Sequence, residues 1–154
     1  MFKHILIPTD GSAVSNEAAR AGVELAKALG ARVTGFFAAP APTPIVYSHH
    51  LPVGYMSPED HAELIEKTAN QYLGVIERAA SAAGVPFDLV HETSDFPADA
   101  IVEAADRLGC DAIFMASHGH RGRRGPILGS ETQKVANHAD VPVVIYRVEA
   151  VAQP

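Results

Sequence analysis

The sequence predicts a single α/β domain built on an open five-stranded parallel sheet with helices on both faces, and three observations predict it. Short β-branched runs alternate with longer segments of helical period, the pattern that gives parallel strands joined by helical crossovers. The chain has 154 residues and 47% hydrophobic content, enough for one sizeable core and too little for two ordinary domains. One run, Asp111 to Ser117, is apolar almost throughout, as a strand covered by helices on both faces must be.

The first strand reads Phe2 to Pro8, and the helix after it is expected to bury Val14, Ala18, Ala21, Leu25 and Ala28 and to stop at Gly30. A second strand spans about Arg32 to Ala38. The segment Ala39 to Met56 carries Pro40, Pro42, Pro44 and Pro52, which exclude a helix or an interior strand, so it reads as a long loop. As it leaves the carboxyl end of the second strand, it is a candidate lid containing Tyr47, His49, His50 and Tyr55, with a plain insertion as the other reading.

Ser57-Pro58-Glu59-Asp60 opens the next helix as N-cap, first-turn proline and first-turn acids, with Ile65, Ala69, Tyr72, Ile76, Ala79 and Ala83 inward and Gly84 as its end. Phe87 to Glu92 forms the third strand. Pro97 to Leu108 is a third helix with Ile101, Val102, Ala105 and Leu108 inward, ended by Gly109. The apolar strand Asp111 to Ser117 is expected near the centre of the sheet. A glycine- and arginine-rich loop, His118 to Leu128, precedes a helix from about Ser130 to Ala139. Val141 to Tyr146 is the last strand, and Pro142 marks either an edge strand or the strand's start. The domain is assigned to residues 1–147, with 148–154 as a tail that has few anchors.

The net charge of −6 disfavours nucleic acid and anionic membrane as partners, because both are negative. No apolar run reaches the length of about 18 residues that a membrane span needs. Met1 to Pro8 lacks an h-region and a cleavage site, so no signal peptide is expected. With Cys110 as its one cysteine the chain cannot form an internal disulfide, and the expected compartment is the cytoplasm.

The stretch from Met115 to Ser130 carries the chemistry. Its glycines let backbone come close to a ligand, and Ser130 offers a hydroxyl beside the unpaired amides of a helix start. Arg121, Arg123 and Arg124, three of the chain's twelve Lys and Arg, fall here in an otherwise acidic protein, which points to anion recognition, the other reading being glycines that only shape a long connection and arginines that only face solvent. Neither G-x-x-x-x-G-K-[ST] nor a G-x-G-x-x-G after the first strand is present, so the common nucleotide fingerprints are excluded. The histidine pairs at 49–50 and 118/120 lack the four-ligand company of a structural zinc site, and no protein-held metal is expected.

The run Ala116-Ser-His-Gly119, nine residues, then Gly129-Ser130 resembles the G-x-x-G, nine residues, G-[ST] motif of nucleotide-binding members of the universal stress protein family. The resemblance extends to Ile7-Pro-Thr-Asp10 at the first strand's end and to Pro142 to Arg147 in the last. It implies a Rossmann-like fold of the adenine nucleotide alpha hydrolase type with strand order 3-2-1-4-5. It further implies that Pro8, Thr9 and Asp10 border adenine and ribose, with Ala38 beside the base and Met115 and Ala116 continuing that wall. Gly119, Gly129, Ser130 and Glu131 would present amides to the phosphates, His118 would lie in the same loop, and Arg121 would add charge at the rim. An aspartate at a strand's carboxyl end can accept from ribose hydroxyls, and ligands of open parallel sheets settle outside those ends.

Ala116 departs from the motif, which has glycine there; its extra methyl is harmless at ordinary dihedrals and strained at positive φ. The expected ligand is ATP, with Mg2+ or Mn2+ on the phosphates as an option. The resemblance also implies a homodimer joined through the last strand, Val141 to Tyr146. Three functions follow: a stress or signalling module that binds ATP without transforming it; an enzyme, either a slow ATPase or an adenylyl-handling protein, with Asp10 and His118 as the candidates for its base and metal-binding acid; and a nucleotide-free dimer acting by protein contacts.

Overall fold

The computed structural model describes residues 1–41, 57–119 and 127–148. Five strands alternate with four helices: β1 (His4–Pro8), α1 (Ala13–Leu29), β2 (Arg32–Ala39), α2 (Pro58–Ala83), β3 (Phe87–Thr93), α3 (Pro97–Arg107), β4 (Ala112–Ala116), α4 (Ser130–His138) and β5 (Val143–Tyr146). The strands form one sheet in the order β3-β2-β1-β4-β5, every neighbouring pair parallel. This is the predicted architecture. The middle place belongs to β1, whereas β4 lies one strand in from the β5 edge and is buried along its whole length.

Alternation along the strands divides the core in two. Ile5, Ile7, Val33, Phe37 and Phe114 pack with α1 and α2, while Leu6, Phe36, Ile113 and Met115 pack with α3 and α4. Because the strands are parallel, all their carboxyl ends lie at one edge of the sheet, and each helix starts from that edge.

Local signals set the helix ends. Ser12 and Ser57 accept from the amides of Ser15 and Asp60, both at 3.1 Å, as N-cap hydroxyls do, and Gly30 and Gly84 close the same two helices in the left-handed conformation. The buried stripe of α1 differs from the periodicity in detail. Ala18 is buried as expected, but Ala19, Gly22, Val23 and Ala26 are buried too and Ala28 is exposed. The cause is close packing: a Cβ on Gly22 would lie 2.8 Å from Ile7 and 2.9 Å from Phe114, so the sheet approaches α1 at its glycine. In α2, Ala69 and Ile76 are buried together with Leu73, Gly74 and Ala80, and Ile65, Tyr72, Ala79 and Ala83 pack partly buried against them. Among the described residues no helix is long and apolar enough to cross a membrane.

Candidate functional site

Three segments meet at the carboxyl edge of the sheet: the turn after β1, the end of β4 with the start of its loop, and the first turn of α4. The turn after β1 is tightly bonded. The Thr9 amide donates to Phe36 O at 2.9 Å, which ties the end of β1 to β2. Ser15 Oγ donates to Ser12 O at 3.0 Å, so the Thr9 hydroxyl, 3.1 Å away, donates to Ser15 while accepting from the Gly11 amide at 3.1 Å. Asp10 Oδ1 accepts from the Ser12 amide at 2.9 Å, an Asx turn leading into the helix. Gly11 has φ +78°, and a Cβ there would run into the ring of Tyr72, which packs edge-on against Phe37 at 5.1 Å. Only glycine satisfies both conditions.

The second segment begins with Met115 and Ala116, both buried. Their side chains join opposite core clusters, Met115 toward α3 and α4 and Ala116 toward α1 and α2. No described residue other than glycine has positive φ, so Ala116 carries its methyl without backbone strain. Ser117 follows as a junction. Its amide donates to Tyr146 O at 2.9 Å, its carbonyl accepts from the Gly129 amide at 2.8 Å, and its hydroxyl lies 2.9 Å from His118 Nδ1. His118 Nε2 lies 2.5 Å from Ile127 O. Gly119 then passes so close to Asp10 that a Cβ on it would overlap Oδ2 of the carboxylate.

The third segment is the start of α4. Gly129 is its N-cap, with Ser130 exposed in the first turn and the Thr132 hydroxyl donating to Ala116 O at 2.9 Å. Glu131 has a use the sequence did not suggest. Its Oε2 accepts from the Ala98 amide at 3.0 Å, in the first turn of α3, whose N-cap Phe96 makes no side-chain cap bond. A helix beginning on Phe-Pro without a capping hydroxyl signals the unmet need, but nothing local names the residue that meets it.

Of the predicted site residues, Pro8, Thr9, Asp10, His118, Gly119, Gly129, Ser130 and Glu131 belong to these three segments, and Ala38 stands half-buried near the end of β2. Arg121, with Arg123, Arg124, His120 and the candidate lid residues Tyr47, His49, His50 and Tyr55, lies outside the described residues. Periodicity did not single out Gly11, Ser12, Ser15, Ser117 or Thr132, which hold the turns in place, and it placed Tyr72 on the buried stripe of α2 without showing that its ring covers Gly11; Asp10-Gly11 is a turn dipeptide and was the one readable sign.

The shifted titrations lie at the opposite edge. Burial and the Arg32 charge lower the pKa of His4, whose Nε2 is 2.7 Å from Thr34 Oγ1. Burial pushes the Cys110 thiol up to about 11, with Asp111 adding to the shift, so it stays protonated and unreactive at neutral pH. For Asp111 burial acts upward but is outweighed by the amides of His4 and Lys3, and its carboxyl lies below its ordinary value.

An open parallel sheet whose strand ends and helix starts converge on a glycine-lined edge defines an α/β protein of the adenine nucleotide alpha hydrolase-like fold. The universal stress protein family model matches residues 1–147, and the chain belongs to that family. Universal stress protein MJ0531 of Methanocaldococcus jannaschii is 32% identical over 147 residues, covering 96% of this chain and 83% of the relative. Two solved structures share the fold: a universal stress protein in complex with cAMP (22% identity, TM-score 0.65, 95% of this chain and 97% of the other) and an Arabidopsis thaliana family member with AMP bound (17%, TM-score 0.68, 99% and 95%).

Proposed function

We propose that the protein binds ATP at this edge and serves as a signalling or stress-response module whose occupancy its partners read. The observation that carries the reading is the meeting of Asp10, Gly119 and the Gly129 N-cap. A carboxylate suited to ribose hydroxyls stands directly beside a backbone with no side chain, next to a helix start. The adenine nucleotides bound by the two solved relatives support the same ligand class. In this reading Pro8, Thr9, Asp10 and Ala38 border base and ribose, and Met115 and Ala116 contribute backbone because their side chains are committed to the core. Gly119, Gly129, Ser130 and Glu131 supply amides to the phosphates, and Arg121 supplies charge. In this reading Mg2+ or Mn2+, if present, is held mainly by the phosphate oxygens of the nucleotide.

The ATPase reading is weaker on one observation. Both ring nitrogens of His118 are engaged, and one Asp10 oxygen holds the turn, so neither group is set aside to activate water. Nucleotide extracted from purified protein decides between the readings: intact ATP supports the binding module, ADP the enzyme, and none a nucleotide-free dimer acting by contacts. Failure of added ATP to bind in calorimetry would refute the proposal.

A further inference from the structure

We infer that His118 is a positioning residue that pins the two stems of the phosphate loop together, fixing Gly119 and Gly129 before a phosphate arrives. This deepens the nucleotide reading and rests on it. A carbonyl oxygen cannot donate, so the contact with Ile127 O places the proton on Nε2. In the neutral ring Nδ1 then accepts from the Ser117 hydroxyl. One side chain thus joins the residue before it to a residue nine positions later.

The surroundings show what the pin adds. The stem at the end of β4 is held on several sides, by Ser117 N on Tyr146 O, by Gly129 N on Ser117 O and by the Thr132 hydroxyl on Ala116 O. A Cβ on Gly129 would lie 3.3 Å from both His118 Cα and Ser117 O, so the two stems already touch there. The other stem has less to hold it. The Gly129 amide ties its helix end to Ser117, but two residues earlier the Ile127 side chain is 73% exposed, and there the carbonyl bond to His118 is the described contact that extends the tie into the loop. Ordering backbone on binding costs conformational entropy, and a stem fixed in advance spares the ligand that cost.

The test titrates wild type, His118→Ala and His118→Gln with ATP and with adenosine, and follows exchange of the Gly129 amide in the nucleotide-free proteins. Removing the pin should weaken ATP about five- to tenfold, the effect of one lost hydrogen bond, and leave adenosine unchanged. Glutamine, which retains a donor at the Nε2 position, should bind ATP within about twofold of wild type. The Gly129 amide should lose protection in His118→Ala. Equal loss for ATP and adenosine, or wild-type protection together with wild-type ATP affinity, overturns the inference. If wild type itself binds no ATP but Gly129 loses protection in His118→Ala, the nucleotide reading falls and the pin stands.

Discussion

Gly119 passes Asp10 at a distance that leaves no room for a β-carbon: one placed there would overlap Oδ2, while Oδ1 of the same carboxylate holds the Ser12 amide at 2.9 Å. The loop after β4 and the turn after β1 are therefore fitted to each other at one side chain. Asp10 cannot give way without loosening the cap of α1.

Gly119→Ala should displace the Asp10 carboxylate and lower ATP affinity about tenfold or more, equivalent to at least ~1.4 kcal/mol. Because Oδ1 of the same carboxylate holds the Ser12 amide, the displacement also loosens the turn into α1, and the thermal midpoint should fall by a few degrees. Calorimetry and thermal denaturation of one sample check both halves; undiminished ATP affinity would detach Asp10 from the ligand.

Restoring the motif glycine, Ala116→Gly, should not improve the protein. The methyl is buried in the cluster with α1 and α2, and glycine also loosens a strand, so a loss of about 1–2 kcal/mol in stability is expected. ATP affinity should stay within about twofold, since Ala116 has no positive φ for glycine to relieve. Urea denaturation and calorimetry measure the two effects, and a large gain in affinity would show that the methyl blocks the site.

How far the sequence could be read follows from how local each cause is. Ser57-Pro58-Glu59-Asp60 and Gly84 act within a turn of where they stand, and the ends of α2 fall where they predict. The stripe of α1 was less legible, because burial of Gly22 and exposure of Ala28 depend on where Ile7 and Phe114 meet the helix. The segments of the candidate site were marked by glycines and by Asp10. Their connections were not: Glu131 reaches Ala98 across 33 positions, and Tyr72 covers Gly11 from a different helix. Residue types reveal a capacity to bond, whereas partners far apart in sequence are chosen by packing.

Glu131→Ala should leave the start of α3 uncapped and cost about 1 kcal/mol, the usual effect of a lost cap. Glu131→Gln, which retains an acceptor, should recover most of it. Urea midpoints of the two variants provide the comparison, and an alanine variant as stable as wild type would mean that water replaces the carboxylate at no cost.

Stability should fall with acid through His4. Its pKa in the folded protein lies below the ordinary 6.5 because of burial and the Arg32 charge, so the unfolded chain binds the proton more readily. The contribution is complete above 6.5 and is lost as pH falls through the lower folded value. Asp111, also lowered, acts in the same direction but only in the acid range around and below its ordinary 3.8. Urea midpoints between pH 7.5 and 5 should decline in wild type and decline less in His4→Gln; equal slopes would remove His4 as the cause.

The proposed homodimer through Val141 to Tyr146 can be tested because β5 has two distinguishable sides. Ile113 N donates to Pro142 O and Ser117 N to Tyr146 O, both at 2.9 Å, so the even-numbered carbonyls face β4. Ile113 pairs with Val143 in a parallel ladder, which turns the N–H of Val144 toward β4 as well. Backbone groups alternate along a strand, and the N–H and C=O of Val143 and Ile145 therefore point away from the sheet, where a second copy could meet them. Proline is tolerated on the outward side of an edge strand and breaks the ladder on the inward side. Ile145→Pro should leave a folded monomer, whereas Val144→Pro should destabilise the fold itself. Sedimentation at micromolar concentration with circular dichroism separates the two effects: a folded Ile145→Pro protein that remains as dimeric as wild type would place the interface elsewhere.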